Sequence, residues 1–478
     1  MNVLFATSEA VPFAKTGGLA DVSASLPQAL AELGHTVSVF MPAHRCVFHS
    51  GLPLTNREID ISVPIGNKTM FGTLWEGRLP GGDVPYYFIR QDRYFDRETL
   101  YSRQGEDYAD NCERFVFFCR AVMESVERLQ MKVDVLHSND WQTGLLPAYL
   151  KLMYGSRPRF HDVASVHTIH NLAYQGAFWH WDMVLTGIGW EHFNYDEMEF
   201  YGKLNLLKTG VVYADAITTV SPHYAQEIQT EEYGCGMDGV LRFRKEKLRG
   251  ILNGISTEHW DPATDPFLAA PYDIGNIFEQ KPRCKADLQR ETGLPERSDL
   301  ALVGMVGRLA CQKGLDLVCD TIPTWVENHG VQYVILGTGD PVTEMRLRKL
   351  AETYPQNVAV RLEFSDSLAH RIEAGADLFL MPSRYEPCGL NQMYSQIYGT
   401  LPIVRNTGGL ADTVLDGETG FVFENDSVHD LNTTIWRALQ CFWEDRDDFN
   451  RMIRNAMRRD WSWKRSAEQY VALYEEIR

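Results

Sequence analysis

Apolar runs that end on small or polar residues alternate along this chain with longer amphipathic stretches. NVLFA, residues 2–6, leaves no polar face and predicts a buried strand. LADVSASLPQALAELGH, residues 19–35, predicts a helix that tolerates Pro27 and stops at Gly34, and TVSVFMP predicts the next strand. NCERFVFFCRAVMESVERLQ has helical spacing. VDVLHSND, VASVHTIHN and AITTVSP each predict a strand with polar residues at its exit. Beyond residue 300 the alternation restarts, with strands in ALVGMVG, VQYVILGTGD, DLFLMPS and LPIVRNTGG and a helix in LDLVCDTIPTWVENHG. Such alternation implies an α/β architecture with mostly parallel, doubly wound sheets. Ligands of such sheets bind beyond the carboxyl ends of the strands. The polar groups there are Ser8, Glu9, Asn139, Asp140, His167, His170 and Ser221. The Gly-, Pro- and Asp-rich stretch LRGILNGISTEHWDPATDPF reads as a hinge and linker, so two such domains are expected, with a cleft between their strand ends.

Composition narrows the function. A chain of 478 residues suits two cores rather than one. A net charge of −18 argues against nucleic acid, which needs a broad basic surface. It does not exclude one small anionic ligand, because screening fades long-range repulsion within about 8 Å. The nine cysteines show no C-x-x-C pair, which suggests reduced thiols. MNVLFATSEA lacks the basic start of a signal peptide, and no apolar stretch is long enough to span a bilayer. A soluble, cytoplasmic protein with no membrane partner is expected.

The candidate chemistry lies in three loops that each precede a helix. KTGGLADV, residues 15–22, sets Lys15 and the Gly17–Gly18 pair ahead of a helix N-terminus, where free N–H groups and the helix dipole attract anions. Its spacing is neither that of a dinucleotide fingerprint nor that of a P-loop. GRLACQKG, residues 307–314, carries Arg308 and Lys313 from one strand exit, the layout a diphosphate needs. SRYEPCGLNQMY, residues 383–394, places Glu386 after a strand and Gly389 before a helix. A solvated turn is the alternative reading of each loop. NTGGLADTV, residues 406–414, repeats T-G-G-L-A-D without the lysine, so the same turn geometry and a structural role are expected there.

Together, KTGGLADV, HTIHNLAYQG, GRLACQKG and SRYEPCGL resemble the bacterial glycogen synthase family, which is close to the plant starch synthases. The four motifs stand in the family's order and span nearly the whole chain. The resemblance implies a GT-B arrangement of two Rossmann-like domains with an interdomain cleft. It also implies transfer of glucose from ADP-glucose to the non-reducing end of an α-1,4-glucan, with retention of configuration and no metal or other cofactor. Residues 1–250 would form the acceptor-side domain and 251–457 the nucleotide-sugar domain, with 458–478 a helix crossing back to the first. By the same resemblance Lys15, with Gly17 and Gly18, would meet the donor phosphates, and Arg308 and Lys313 would hold them. Glu386 would contact the glucosyl hydroxyls beside the backbone of Cys388, Gly389 and Leu390. His170 would lie near the anomeric and C6 region, Asp140 and Asn253 would bind sugar hydroxyls, and Phe364 would stack on adenine. Glu9 and Asp21 would line the acceptor side.

The bare chemistry agrees with part of this. Charge grows on a departing diphosphate, and fixed cations stabilise it. The Asp445-Arg446-Asp447 triplet lies in a charged segment, so a metal-dependent D-x-D site is not expected. Glu386 is the one plausible carboxylate for a double displacement; a short-lived ion pair is the alternative route to retention. A second carboxylate eight positions on, found in the wider GT-B group, falls at Tyr394. His167 and His170 lack a third ligand nearby for zinc. Cys112 and Cys119 read as packing, Cys388 as a small buried thiol, and Trp179 and Trp181 as either core or glucan platforms. Alternatives for the whole chain are a GT-B enzyme using UDP-glucose, a nucleotide-sugar epimerase, or a glucan- or nucleotide-binding regulator without activity.

Overall fold

The first apolar run becomes the strand Asn2–Ala6, at the centre of a nine-stranded sheet. In the computed structural model, which describes residues 1–103 and 105–478, the chain divides into two units: Met1–Gly254 with Trp463–Arg478, and Ile255–Ser462.

In the first unit Asn2–Ala6 is flanked by Thr36–Pro42 on one side and Val135–Asn139 on the other, both parallel to it. Beyond Val135–Asn139 follow Ala164–Ile169, Ala216–Thr219 and Leu248–Gly250; beyond Thr36–Pro42 comes Pro85–Arg90, all parallel. Counting parallel strands in chain order, the sheet runs 3-2-1-4-5-6-7, so the winding reverses between Asn2–Ala6 and Val135–Asn139. An antiparallel hairpin, Leu54–Ile65 with Lys68–Arg78, extends the edge. The helix Gly18–Glu32 contains Pro27, and the chain leaves it at Gly34 with φ +88°. Its Val22 and Leu26 join Val3 and Phe5 in an apolar core that also takes up Ala467, Tyr470, Leu473 and Tyr474 of the last helix, Trp463–Ile477. Tyr474 Oη lies 2.7 Å from His137 Nδ1, tying that helix to the sheet.

The second unit is a six-stranded, wholly parallel sheet in the order Val358–Arg361, Gln332–Leu336, Leu302–Val306, Leu378–Met381, Leu401–Arg405, Phe421–Phe423. In chain order this is 3-2-1-4-5-6, the Rossmann arrangement, with its switch point between Leu302–Val306 and Leu378–Met381. The charged segment around Asp445 is the junction of helices Val428–Glu444 and Arg446–Met457. Asp445 caps the second, while Phe442 and Phe449 on either side are buried. Among the described residues no helix is long and apolar enough to cross a membrane.

The two T-G-G-L-A-D copies do not share a turn. Gly17 is an extended N-cap (φ −155°) and its helix begins at Gly18. In the second copy Thr407 is the cap and Gly408, at φ +45°, already begins the helix. The difference comes from packing: a Cβ on Gly408 would lie 1.9 Å from the Glu386 carbonyl oxygen, and one on Gly409 2.1 Å from that of Cys388. At Gly17 and Gly18 it would meet nothing within 4 Å.

Candidate active site

The two switch points gather much of what the sequence singled out, while Asn253 and Phe364 follow the edge strands Leu248–Gly250 and Val358–Arg361. In the first unit the loop after Asn2–Ala6 is braced by Glu9, which is buried. Its carboxylate accepts from Thr16 N at 2.5 Å, Thr16 Oγ1 at 2.6 Å and Tyr101 Oη at 2.6 Å. Glu9 therefore shapes the loop that presents the glycine pair. Lys15 lies on the surface and donates to Asp21 Oδ1 at 2.8 Å, so these two candidates are paired with each other. Gly17 needs no left-handed backbone, and no protein atom crowds either glycine. The space a side chain would fill is left open beside the N–H groups of a fifteen-residue helix.

The loop after Val135–Asn139 carries Asp140 and faces His170, just past the end of Ala164–Ile169. Asn139 Nδ2 donates to the Ala6 carbonyl at 3.0 Å, which turns Asn139 Oδ1 toward His170 Nε2 at 2.9 Å. Nε2 therefore carries the imidazole proton and Nδ1 is left as an acceptor. Burial pushes this imidazole down to about 3, so it is neutral at physiological pH. Asp140 Oδ1 accepts from His170 N at 2.7 Å, and burial pushes its carboxyl up to about 7. Asp140 also holds φ +55°, uncommon for a residue with a side chain. Asn253 is buried and its Oδ1 has no hydrogen-bond partner among the described residues. His167 stands apart from this group. Its Nδ1 meets Ser138 Oγ at 2.8 Å, and its ring fills the space where a Cβ on Gly210 would sit, so it serves packing.

In the second unit the loops after Leu302–Val306 and Leu378–Met381 interlock. A Cβ on Gly314 would lie 2.1 Å from the Pro382 carbonyl oxygen, and φ +67° at Gly314 favours glycine independently. Arg384 N donates to Gln312 O, and Gln312 Nε2 to Tyr385 O. Arg384 reaches Asp316 through two nitrogens, at 2.9 and 2.7 Å, and Asp426 through Nε at 2.8 Å. Asn391 Nδ2 donates to Val306 O. This framework puts Lys313 Nζ 2.5 Å from Glu386 Oε2, which also accepts from Ser383 Oγ at 3.0 Å. Glu386 is buried, and the Lys313 side chain is largely so. Cys388 is buried next to Gly389, whose φ is +70°. Leu390 stands directly before the short helix Asn391–Ile397.

Arg308 is exposed and lines a cleft of about 640 Å³ with Leu309, Thr338, Gly339, Asp340 and Arg346. Phe364 follows the strand Val358–Arg361 and is 89% exposed. Tyr394 is buried and lies flat on Trp260, with centroids 3.9 Å apart, so an aromatic stack occupies the place of the second carboxylate. Trp179 and Trp181 are 63% and 53% exposed, which removes the core reading for both. Cys112 and Cys119 are buried in the helix Asn111–Arg128 and serve packing.

Arg384, Gln312, Ser383 and Asn391 were missed in the sequence. All four lie inside the quoted motifs GRLACQKG and SRYEPCGLNQMY, as neighbours of Lys313 and Glu386. An arginine in such a motif has to find a carboxylate, and its partner lies 68 residues away.

The starch synthase catalytic domain family matches residues 2–243, and the group 1 glycosyl transferases match residues 289–459. Glycogen synthase of Rhodopirellula baltica is 44% identical, over 99% of this chain and 97% of its own length. That of Thermotoga maritima is 45% identical, over 100% and 99%. Among solved structures, the catalytic domain of starch synthase IV from Arabidopsis thaliana, bound to ADP and acarbose, superposes with a TM-score of 0.91 at 32% identity, covering 100% of this chain and 99% of that one. Sucrose-phosphate synthase from Thermosynechococcus elongatus shares the fold, with a TM-score of 0.61 at 18% identity over 100% and 98%.

Proposed function

Because the chain belongs to the glycogen and starch synthase family of GT-B glucosyltransferases, we propose that it uses ADP-glucose as donor. The glucosyl group passes to the non-reducing end of an α-1,4-glucan with retention of configuration, in the cytoplasm. The observation that carries this reading is the Lys313–Glu386 contact at the switch point of the second sheet. One cation and one carboxylate, locked together on two interlocked loops, suit a leaving diphosphate and the sugar attached to it. Lys313 and Arg308 stabilise the charge that grows on the diphosphate as the C–O bond breaks, while Lys15 and the N–H groups at Gly17 and Gly18 contribute to phosphate binding. Glu386 accepts from glucosyl hydroxyls beside the backbone of Cys388, Gly389 and Leu390. Neutral His170, with Nδ1 free to accept, orients a sugar hydroxyl near the anomeric centre and does not act as a general acid. Asp140 and Asn253 bind further hydroxyls, Phe364 stacks on adenine, and Glu9 and Asp21 support the acceptor side. An adenine donor is favoured by the ADP bound in the Arabidopsis relative.

The test incubates the full chain with glycogen and either ADP-glucose or UDP-glucose and measures nucleoside diphosphate release. Faster release from ADP-glucose is expected. No release from either donor would remove the proposal, and preference for the uridine donor would correct it.

A further inference from the structure

Away from these loops, the second unit holds a cluster of side chains that the transfer reaction does not use. His370 sits in the helix Asp366–Gly375 with its ring buried. Its Nδ1 lies 2.7 Å from Asp265 Oδ2. Asp265 is buried as well, and the same oxygen accepts from Tyr398 Oη at 2.6 Å while Oδ1 accepts from Phe267 N at 2.9 Å. A carboxylate so placed fixes the proton on Nδ1 and leaves the lone pair on Nε2. Carboxylate, imidazole and metal stand in this order in zinc sites.

His370 Nε2 lies 3.3 Å from His259 Nε2, and His259 Nε2 lies 3.6 Å from Asp366 Oδ2. The three ligand atoms all fall within 4.8 Å of one another. Two nitrogens bound to zinc at about 2.0–2.1 Å with tetrahedral angles lie about 3.3–3.4 Å apart. The spacing of the two imidazoles therefore matches one edge of that coordination figure. The buried imidazole is also clamped: Trp260 lies flat on it, with centroids 3.8 Å apart and planes 6° off parallel, and Tyr394 covers the other face of the stack. His259 and Asp366 are about half exposed, so water has access to a fourth position.

We propose that His259, His370 and Asp366 bind a divalent transition-metal ion of the zinc class, with Asp265 orienting His370 from behind. The ion would join the segment that carries His259 to the first turn of the helix Asp366–Gly375, two residues beyond Phe364. Its role is to hold that segment in place rather than to take part in glucosyl transfer.

The experiment treats the full chain with a chelator, removes it, and titrates with Zn²⁺ alone and with Co²⁺ alone, by calorimetry and visible absorption. The expected result is one saturable ion per chain, a tetrahedral Co²⁺ ligand-field spectrum and a melting temperature that rises with Zn²⁺. His259→Val and Asp366→Asn change exposed positions and leave the fold intact. Each is expected to weaken binding at least about tenfold, as losing even an outer-shell partner does, and to abolish the thermal shift. Absence of saturable binding to the wild type would overturn the proposal. So would His259→Val binding as tightly as the wild type with an unchanged spectrum, since the two imidazoles would then share a plain hydrogen bond and any ion would lie elsewhere, for instance on cysteines.

Discussion

Residues 16–21 and 407–412 carry the same six letters, yet Gly17 faces open space while Gly408 is pressed against the Glu386 carbonyl. The contrast extends to the whole of the two switch points. In the second unit the loops around Lys313 and Glu386 are already engaged with each other, while Arg308 stays exposed beside them. Gly314 packs on Pro382, Gly409 N donates to Glu386 O at 3.0 Å, and Lys313 is held on Glu386. In the first unit the loop is braced internally by Glu9, which also accepts from Gly17 N at 3.4 Å, but its cation lies on the surface against Asp21 and a Cβ on either glycine would meet nothing within 4 Å. One site is assembled by the protein itself. The other leaves the side-chain space of its glycine pair open. Glycine thus stands in two settings in one motif, pressed against the protein's own backbone in one copy and beside open space in the other.

The sharpest way to break this contrast is to remove the cation from each side. Lys313→Ala takes away the donor held on Glu386, and turnover at saturating donor should fall about 10²–10³-fold, roughly 3–4 kcal/mol of transition-state stabilisation. The variant should also lose stability, because a buried carboxylate loses its cationic partner while Ser383 Oγ still donates to it. Lys15→Ala breaks an exposed pair and should change stability by less than about 1 kcal/mol. Steady-state kinetics and urea midpoints check both. Near-normal turnover for Lys313→Ala, or a stability loss for Lys15→Ala as large as that of Lys313→Ala, would erase the distinction.

A methyl group placed on each glycine pair comes next in size. At Gly409 the new carbon would lie 2.1 Å from a backbone oxygen, so the Glu386–Cys388 segment has to move. Gly409→Ala should cost about 1–3 kcal/mol or more of folding stability, read as a lower urea midpoint. At Gly17 the same methyl meets no protein atom, and stability should stay within about 0.5 kcal/mol. Its cost should appear in donor affinity instead, about 1–3 kcal/mol if a phosphate occupies the open space. Unchanged donor binding by Gly17→Ala would mean that the cradle stays empty during the reaction.

How far the sequence foretold this molecule depends on how local each feature is. The parallel strands were legible because a strand buried on both faces is a continuous apolar run with polar residues at its exit, as in Val135–Asn139 and Leu378–Met381. The hairpin Leu54–Ile65 with Lys68–Arg78 was not. Its first strand keeps much of one face exposed and alternates clearly only near its end, and no run of apolar residues announces it. The loops bearing Lys15, Lys313 and Glu386 stood out by residue type, but the Lys313–Glu386 and Arg384–Asp316 contacts span 73 and 68 residues. No spacing rule reaches that far. The two T-G-G-L-A-D copies show the limit most plainly: identical local sequence took different backbones because one copy packs against the Glu386–Cys388 carbonyls and the other does not.

The most gradual expected effect, spread over pH, separates the two switch points. Burial pushes the Asp140 carboxyl from its ordinary 3.8 up to about 7, with the nearby Glu9 charge adding to the shift, while His170 beside it stays neutral down to about 3. A raised carboxyl binds its proton more tightly in the folded chain than in the unfolded one. The stability it contributes is therefore complete below its ordinary value and is lost as pH rises through about 7. Activity should move the other way. If Asp140 accepts from a sugar hydroxyl, the ionised form is the working one, and kcat/KM should drop about tenfold per unit as pH falls below 7. Asp140→Asn should remove both limbs together, leaving a flatter stability profile relative to the wild type and an acid side without that slope. Comparing urea midpoints and kcat/KM of the two proteins between about pH 5 and 8 decides it. An acid limb that persists in Asp140→Asn would assign the titration to another group and leave the first switch point with Asp140 as a backbone brace, much as Glu9 braces the preceding loop.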